Sequence, residues 1–253
     1  MRLEGLHAVV TGGGSGIGAA IAQALAREGA QLTLIGRRRE ALDAIAATLP
    51  GACVAQADVT DRAAVDAAFA SARAAHGPIA ILVNNAGIAP SAPFVKVTAE
   101  AWRQTMAVNL DALFHCCQAA LPDLIAAPSG RIVTVASTAG VKGYGYTAPY
   151  VASKHGAIGL MRALATEFAH TGLTANAVCP GFTDTDIVGD AIANIQAKTG
   201  RSADEARAQL TRFNPQGRLI DPAEVAEAAL WLCLPASRSV TGQAIMVAGG
   251  EVM

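Results

Sequence analysis

A tyrosine and a lysine four residues apart, Tyr150 and Lys154, are the side chains of this sequence best suited to moving a proton. Both fall early in a helix predicted over residues 149–169, so they share one face of it. A tyrosine hydroxyl normally has a pKa of about 10, and a nearby ammonium group lowers that pKa by stabilising the phenolate. A Tyr-x-x-x-Lys pair is also a common chance feature of helix surfaces, so its meaning depends on the other motifs.

A glycine-rich loop between Thr11 and Gly18 follows the first predicted strand. Its informative glycines are spaced G-x-x-x-G-x-G, which differs from the G-x-G-x-x-G dinucleotide fingerprint. Glycines allow a tight turn and a close approach to a pyrophosphate, whose charge is bound by the first N–H groups of the next helix. A merely flexible turn is the alternative. The loop favours a dinucleotide cofactor bound by Gly12, Gly14, Ser15, Gly16, Ile17 and Gly18.

The end of the second predicted strand bears on which dinucleotide is bound. Proteins that prefer NAD place a carboxylate about 20 residues after the glycines, where it accepts hydrogen bonds from the ribose 2′-hydroxyl. Here the matching stretch is Gly36, Arg37, Arg38 and Arg39, with no acid. The guanidinium of Arg37, helped by Arg38, can bind a 2′-phosphate, whereas a solvated helix start explains Arg39. The sequence favours NADP(H), and NAD(H) is the alternative.

Seven short apolar segments alternate with amphipathic ones along most of the chain. The predicted strands lack polar alternation, as strands buried on both faces do, and span residues 8–10, 32–35, 54–57, 81–83, 131–135, 175–179 and 244–247. The predicted helices span residues 17–28, 38–49, 63–75, 100–119, 149–169 and 222–234. This order predicts an α/β fold, with a Rossmann-like, doubly wound parallel sheet of about seven strands and helices on both faces, in a single domain over residues 1–253.

One segment, residues 183–217, shows no strand signal and mixes apolar and charged residues. A structureless loop of this length is unusual in a compact domain, so we expect short helices there. The segment follows a strand end, where open α/β sheets bind ligands, and this position favours a helical substrate lid. A plain surface insertion is the alternative.

Composition restricts the functional class. The 253 residues are 52% hydrophobic and 15% charged, with a formal net charge of -1. Nucleic-acid binding in general needs a basic excess, and a membrane span needs roughly 18 apolar residues, so neither is expected. The start lacks a secretory apolar segment, which predicts a cytoplasmic protein. The five cysteines and five histidines lack metal-ligand spacing, so we expect no metal site.

Further motifs follow in order: Asn84, Asn85, Ala86 and Gly87, then Asn109, Ser137, and the pair Pro180 and Gly181. With the glycine loop and Tyr150-x-x-x-Lys154, the whole chain resembles the short-chain dehydrogenase/reductase family. From Ser137 to Phe182 it is most similar to 3-oxoacyl-thioester reductases and aromatic-polyketide ketoreductases. The resemblance implies an oxidoreductase that transfers hydride between a nicotinamide dinucleotide and a ketone or secondary alcohol.

The resemblance also implies roles for four catalytic residues. Tyr150 would protonate the carbonyl oxygen, Ser137 would hydrogen-bond to the same oxygen, and Lys154 would tune Tyr150 and bind the nicotinamide ribose. Asn109 would hold a water that links Lys154 to solvent. Structural alternatives are a strand-end cap for Ser137 and a helix kink at Asn109.

Other cofactor contacts are implied in the same way. Asp58 and Val59 match adenine contacts, although Asp58 is also explained as a turn former. The remaining expected contacts line the cleft or lie near the nicotinamide amide: Asn85, Ala86, Gly87, Pro180, Gly181, Thr183 and Thr185.

The substrate is less defined. Carrier-protein-linked members of the family have basic residues at the positions of residues 125–130 and 170–172, where this chain has none, so docking of an acyl carrier protein is doubtful. A free ketone, a cyclic ketone or a coenzyme A thioester is more plausible. The rival enzyme hypothesis is an NAD-linked hydroxyacyl-thioester or alcohol dehydrogenase in catabolism. A redox sensor that binds the nucleotide without turnover is the alternative from another class.

A homotetramer is expected, with a dimer as the alternative. The low charge fraction suggests that sister subunits cover part of the surface. An apolar stripe is predicted along the helix at 100–119, comprising Trp102, Met106, Leu110, Leu113, Phe114 and Cys117. In the resembling family this helix and the next pair across one twofold axis, and the last strand and helix across another.

The first prediction concerns Arg37. Arg37→Ala should weaken NADPH binding by about 1.5 to 3 kcal/mol, because a charge-assisted hydrogen bond to the 2′-phosphate is lost. NADH binding should be unchanged, and Arg39→Ala is the matched control. Titration with both cofactors measures the effect, and an equal loss for NADH, or a wild-type preference for NADH, would contradict the assignment.

Overall fold

A computed structural model describes all 253 residues and contains one seven-stranded sheet. Its strands are β1 His7–Thr11, β2 Gln31–Gly36, β3 Cys53–Gln56, β4 Ile79–Asn84, β5 Arg131–Val135, β6 Thr174–Pro180 and β7 Ala244–Val247. Every neighbouring pair is parallel, in the order β3-β2-β1-β4-β5-β6-β7. The predicted fold class is confirmed, and each predicted strand is present.

Helices cover both faces of the sheet. Helices α1 Gly16–Arg27, α2 Arg39–Ala46 and α9 Pro222–Cys233 pack on one face. Helices α3 Arg62–His76, α5 Ala112–Ala126 and α6 Ala148–Glu167 pack on the other. Successive strand residues serve opposite cores, because side chains alternate across a strand: Val9 lies in one core and Val10 in the other. No helix of the protein has both the length and the hydropathy of a bilayer span.

The helix predicted over residues 100–119 is interrupted. Helix α4 Ala99–Met106 leads into a π turn at Ala107–Asp111, after which α5 continues through Pro122 to Ala126. The π turn divides the predicted continuous helix, and the predicted stripe is divided between two environments. Leu113 and Cys117 are buried, whereas Trp102 and Phe114 are exposed.

The segment 183–217 contains the two helices α7 Asp186–Thr199 and α8 Ala203–Thr211, which confirms its helical character. Gly200 ends α7 in the left-handed conformation, and a capping box between Ser202 and Glu205 begins α8. A single parallel bridge joins Thr183 to Ile220. The segment thus leaves and returns to the fold at one point, as a flap does.

The strand order reverses between β1 and β4. The chain runs outward from β1 to β3, then crosses back to β4 on the other side of β1. Crossover helices diverge at such a point and leave a crevice outside the carboxyl ends of the strands. The glycine loop after β1 and the Asn85 segment after β4 both lie there.

Candidate active site

Asn85 holds the glycine loop in shape. Its Nδ2 donates to the backbone oxygens of Thr11 at 3.1 Å and Gly12 at 3.2 Å. Gly12 has a φ of 65°, and a Cβ there would lie 2.8 Å from Asn85 Nδ2. A side chain at Gly12 would therefore be strained and would clash with the amide that orders the loop.

The residues of this loop fit a pyrophosphate. Ser15 precedes the first residue of α1 but makes no side-chain capping hydrogen bond. The first N–H groups of a helix have no intrahelical acceptor, so they are available to an anion. Gly16, with a φ of 53°, adds a turn that L side chains rarely adopt. The structure thus brings together Gly12, Gly14, Ser15, Gly16, Ile17 and Gly18 in a cradle with the chemistry of a phosphate site.

The three arginines after β2 differ in their surroundings. Arg37 is exposed, and its side chain makes no hydrogen bond or ion pair. Arg38 donates to Ser15 Oγ at 3.1 Å and lies 3.8 Å from Asp186 of the flap. Arg39 pairs with Asp43 one helical turn on, at 2.8 Å, as expected for a solvated helix start. A free guanidinium and a second one beside the glycine loop suit a phosphate ligand.

Asp58 lies in a turn after β3. Its Oδ1 accepts hydrogen bonds from Thr60 N at 2.9 Å and Thr60 Oγ1 at 2.8 Å. The backbone hydrogen bond from Thr60 is the largest cause of the lowered pKa of Asp58, and the charge of Arg37 adds to it. Asp58 therefore forms the turn, and it also lies near Arg37. The neighbouring Val59 side chain is buried.

Ser137, Tyr150 and Lys154 converge beside β5. Ser137 follows the end of β5, and its Oγ accepts from Ala139 N at 3.1 Å, so the strand-end cap is also real. Burial raises the pKa of Tyr150, and the nearby Ser137 hydroxyl opposes this effect without reversing it. The lowering expected from the sequence is not found, because burial of the tyrosine outweighs it. The Lys154 ammonium donates to Val135 O, at 2.9 Å.

Burial of the Lys154 ammonium opposes folding. Its side chain is buried and its Nζ lies 5.7 Å from the Tyr150 ring centre. Burial lowers the pKa of Lys154 to about 8. A buried ammonium with one protein acceptor has free N–H donors, and these can hold a further polar group.

Asn109 lies in the π turn and is fully buried. Its side chain clamps Ile88 from both sides: Oδ1 accepts from Ile88 N and Nδ2 donates to Ile88 O, both at 2.9 Å. Nδ2 also donates to Ser153 Oγ at 3.1 Å. A Cβ on Gly87 would lie 3.3 Å from Asn109 Oδ1 and 3.7 Å from Lys154 Nζ, so Gly87 lets these groups approach.

The expected residues after β6 are also at the crevice. Pro180 ends the strand, and Gly181 N donates to Val247 O. Thr183 is buried and its hydroxyl donates to Gly181 O at 3.0 Å. Thr185 precedes α7, and its methyl group would lie 3.1 Å from a Cβ on Gly16. The flap therefore begins beside the glycine loop.

Sequence reasoning missed an aromatic wall between the flap and the loop that joins Ser137 to Tyr150. Tyr144 makes edge-to-face contacts with Phe182 and Phe213, which stack on each other with ring centres 5.6 Å apart. Lys142 and the buried Glu251 complete this wall. The position of Tyr144 between two catalytic candidates was a usable signal, whereas nothing in the sequence links Glu251 to this site.

Comparison with known proteins places these features in a family. The family model described as short chain dehydrogenase matches residues 6–196. A putative ketoacyl reductase of Streptomyces coelicolor is 36% identical over 249 residues, covering 96% of this chain and 95% of the relative. A galactitol 2-dehydrogenase (L-tagatose-forming) of Cereibacter sphaeroides is 40% identical, with 98% and 96% covered. The 3-oxoacyl-acyl-carrier-protein reductase of Escherichia coli is 34% identical over the full length of both chains.

A solved structure supports membership of the same family. The crystal structure of a Phe-to-Trp variant of actinorhodin polyketide ketoreductase with NADPH has a TM-score of 0.93 to this chain. Its sequence is 35% identical, and the match covers 97% of each chain.

The second prediction concerns the effect of the buried Lys154 ammonium on stability. In the cofactor-free protein at pH 7, Lys154→Met should raise the free energy of unfolding by roughly 1–3 kcal/mol. The gain comes from removing the buried charge, since a pKa change of one corresponds to about 1.4 kcal/mol. Loss of the hydrogen bond to Val135 offsets part of it. Because the folded lysine loses its proton near pH 8, the gain should be full below pH 8 and shrink towards pH 10.5.

Denaturant unfolding across this pH range measures the gain. Lys198→Met, at an exposed position on α7, is the matched control and should change little. A destabilised Lys154→Met protein at pH 7, or a gain that grows above pH 8, would show that burial of the ammonium is not the dominant effect.

Proposed function

The chain belongs to the short chain dehydrogenase family, and on that premise we propose that it is an NADP(H)-dependent ketoreductase. It is an oxidoreductase of ketones and secondary alcohols. The proposed substrates are 3-oxoacyl-thioester-like or cyclic ketones. The observation that carries the proposal is the convergence of Ser137, Tyr150 and Lys154 beside the crevice that holds the glycine loop.

Tyr150 is the proposed acid in reduction and base in oxidation. Its raised pKa keeps the hydroxyl protonated at neutral pH, so it can deliver a proton to a carbonyl oxygen. Ser137 lies within hydrogen-bonding reach of Tyr150 and can donate to the same oxygen, which stabilises the negative charge that develops there. Lys154 holds a positive charge near the tyrosine, which favours the phenolate as the proton leaves.

The cofactor would be held by the glycine cradle, Asp58, Val59, the Asn85–Gly87 segment and the residues after β6. A bound nicotinamide dinucleotide supplies or accepts the hydride. The spare donors of Lys154 suit ribose hydroxyls, and the fixed position of Ile88, set by Asn109, orders the backbone next to Lys154. In this proposal Asn109 acts through that backbone, because its side-chain amide is already engaged with Ile88 and Ser153.

Preference for NADP(H) is supported by the unpaired Arg37 and the absence of an acid at the end of β2. A 2′-phosphate there would meet one free guanidinium, and Arg38 is near enough to the glycine loop to contribute. The solved relative that carries NADPH is consistent with this preference.

The rival proposal is an NAD-linked dehydrogenase of polyols or hydroxy acids. It is favoured by the galactitol relative and by a D-beta-hydroxybutyrate dehydrogenase of Cupriavidus necator that is 36% identical over 255 residues. Steady-state rates with both cofactors, on ketones and on alcohols, decide between the two. Our proposal does not include docking of an acyl carrier protein, since residues 125–130 and 170–172 contain no lysine or arginine.

The third prediction tests Tyr150. Tyr150→Phe should retain NADPH affinity while kcat falls by about 100-fold to 10,000-fold, because the positioned proton donor is lost. Tyr146→Phe is the matched control, since its side chain is 70% exposed and its hydroxyl makes no hydrogen bond. Ketone-dependent oxidation of NADPH measures kcat. Near-normal turnover would disprove the role, and a wild type that binds NADPH but turns over no ketone would favour the sensor hypothesis.

A homotetramer of single-domain chains is part of the proposal. An apolar groove of about 470 Å³ lies between the π turn, α5 and α6, lined by Leu110, Phe114 and Leu160 among others. The exposed ring of Phe114 would be buried if α5 and α6 met the same helices of a second copy.

The fourth prediction tests this assembly. Light scattering at micromolar concentration should give about four times the 25.6 kDa of one chain. Phe114→Asp should lower the mass, because it places a charge in the proposed contact, whereas Phe94→Asp, at an exposed residue elsewhere, should not. A wild-type mass near that of one chain would refute the assembly.

A further inference from the structure

A buried ion pair is built into the aromatic wall. Lys142 Nζ lies 3.1 Å from Glu251 Oε1, and the Tyr144 hydroxyl donates to the same oxygen. The Glu251 side chain is 1% exposed, whereas that of Lys142 is 34% exposed. The carboxylate is therefore out of reach of solvent, and the ammonium is not.

The pair lies next to the proposed catalytic groups. Lys142 and Tyr144 belong to the loop that joins Ser137 to Tyr150, and the Tyr144 hydroxyl is 2.6 Å from Thr138 Oγ1, beside Ser137. The Tyr144 ring also contacts Phe182, which follows the end of β6. A ketone whose oxygen is bound by Ser137 and Tyr150 would thus have this wall as its neighbour.

The charges of the wall favour an uncharged neighbour. The Lys142 ammonium lies over the rings of Tyr144 at 4.9 Å and Phe213 at 5.8 Å. If it were unpaired, its positive charge would attract a substrate carboxylate. Glu251 neutralises it. The second oxygen, Oε2, is buried without a hydrogen-bond partner and lies against Gly181, where a Cβ would be 3.0 Å away. Of the other charged groups, Arg212 lies over the Phe213 ring at 5.0 Å, but it is exposed, so solvent screens its charge.

We infer that Glu251 is a specificity-determining residue that restricts the active site to neutral ketones by neutralising Lys142. The inference rests on the proposed function and narrows its substrate class. Specificity of this kind comes from making the wrong ligand unfavourable, and a carboxylated ketone would have to displace a buried carboxylate from its only cation.

The test compares acids with their own methyl esters. The two pairs are 3-oxobutanoate with methyl 3-oxobutanoate, and 4-oxocyclohexanecarboxylate with its methyl ester, each reduced with NADPH. The measured quantity is the ratio of kcat/KM for the acid to kcat/KM for the ester. The wild type should favour the ester by about tenfold or more, the scale of one charge-assisted hydrogen bond.

Glu251→Gln is the decisive variant, because glutamine keeps the size of the side chain and an acceptor for the Tyr144 hydroxyl. It frees Lys142, so the acid-to-ester ratio should rise about tenfold or more, through a lower KM for the acid. The kcat for the ester should stay close to that of the wild type. A purely structural role for Glu251 would instead lower both activities together.

Two controls isolate the charge. Combining Lys142→Met with Glu251→Gln removes the freed ammonium and should return the ratio to the wild-type value. Glu227→Gln makes the same change in the exposed pair with Arg27 and should leave the ratio unchanged.

The inference is overturned by an unchanged ratio in Glu251→Gln or by a gain that persists in the double variant. Should Glu251→Gln not fold, the wild type decides alone: equal use of acid and ester contradicts the inference without touching the proposed function. A wild type that reduces no ketone with either cofactor contradicts both.

Discussion

Because all seven strands are parallel, every strand delivers its carboxyl end to the same edge of the sheet, and the chemistry of this protein depends on that constraint. The glycine loop, Asn85, Ser137 and Gly181 each follow the end of a strand within two residues, yet they come from distant parts of the chain. The reversal of strand order between β1 and β4 opens the crevice between them. A sheet with one antiparallel central strand would place one of these segments at the opposite edge.

Two buried charges act at this edge, and both oppose folding when considered alone. Lys154 has one backbone acceptor and a pKa lowered to about 8, and Glu251 has an oxygen with no partner. The desolvation of such groups is unfavourable unless pairing and hydrogen bonds offset it, and here the pairing is incomplete. The two large apolar cores on either side of the sheet supply the stability that makes these charges tolerable.

The π turn links the catalytic site to the proposed subunit contact. It places Asn109 where its side chain fixes Ile88 beside Lys154. With Ala107 and Leu110 it also lines the groove beside the exposed ring of Phe114.

The sequence by itself determined the parallel α/β fold, the positions of the seven strands and the residue types at their ends, because short buried runs, glycine spacing and i, i+4 pairs are local patterns. It also shows that no acid follows β2, which is the basis of the proposed preference for NADP(H). Tertiary structure alone decided the rest. The π turn leaves no signal in the sequence, because the buried positions Asn109, Leu113 and Cys117 keep the spacing of an α-helix across it. The contact between Tyr144 and Glu251 joins residues 107 positions apart, and only the packing of the last turn of chain against the β6 end brings them together.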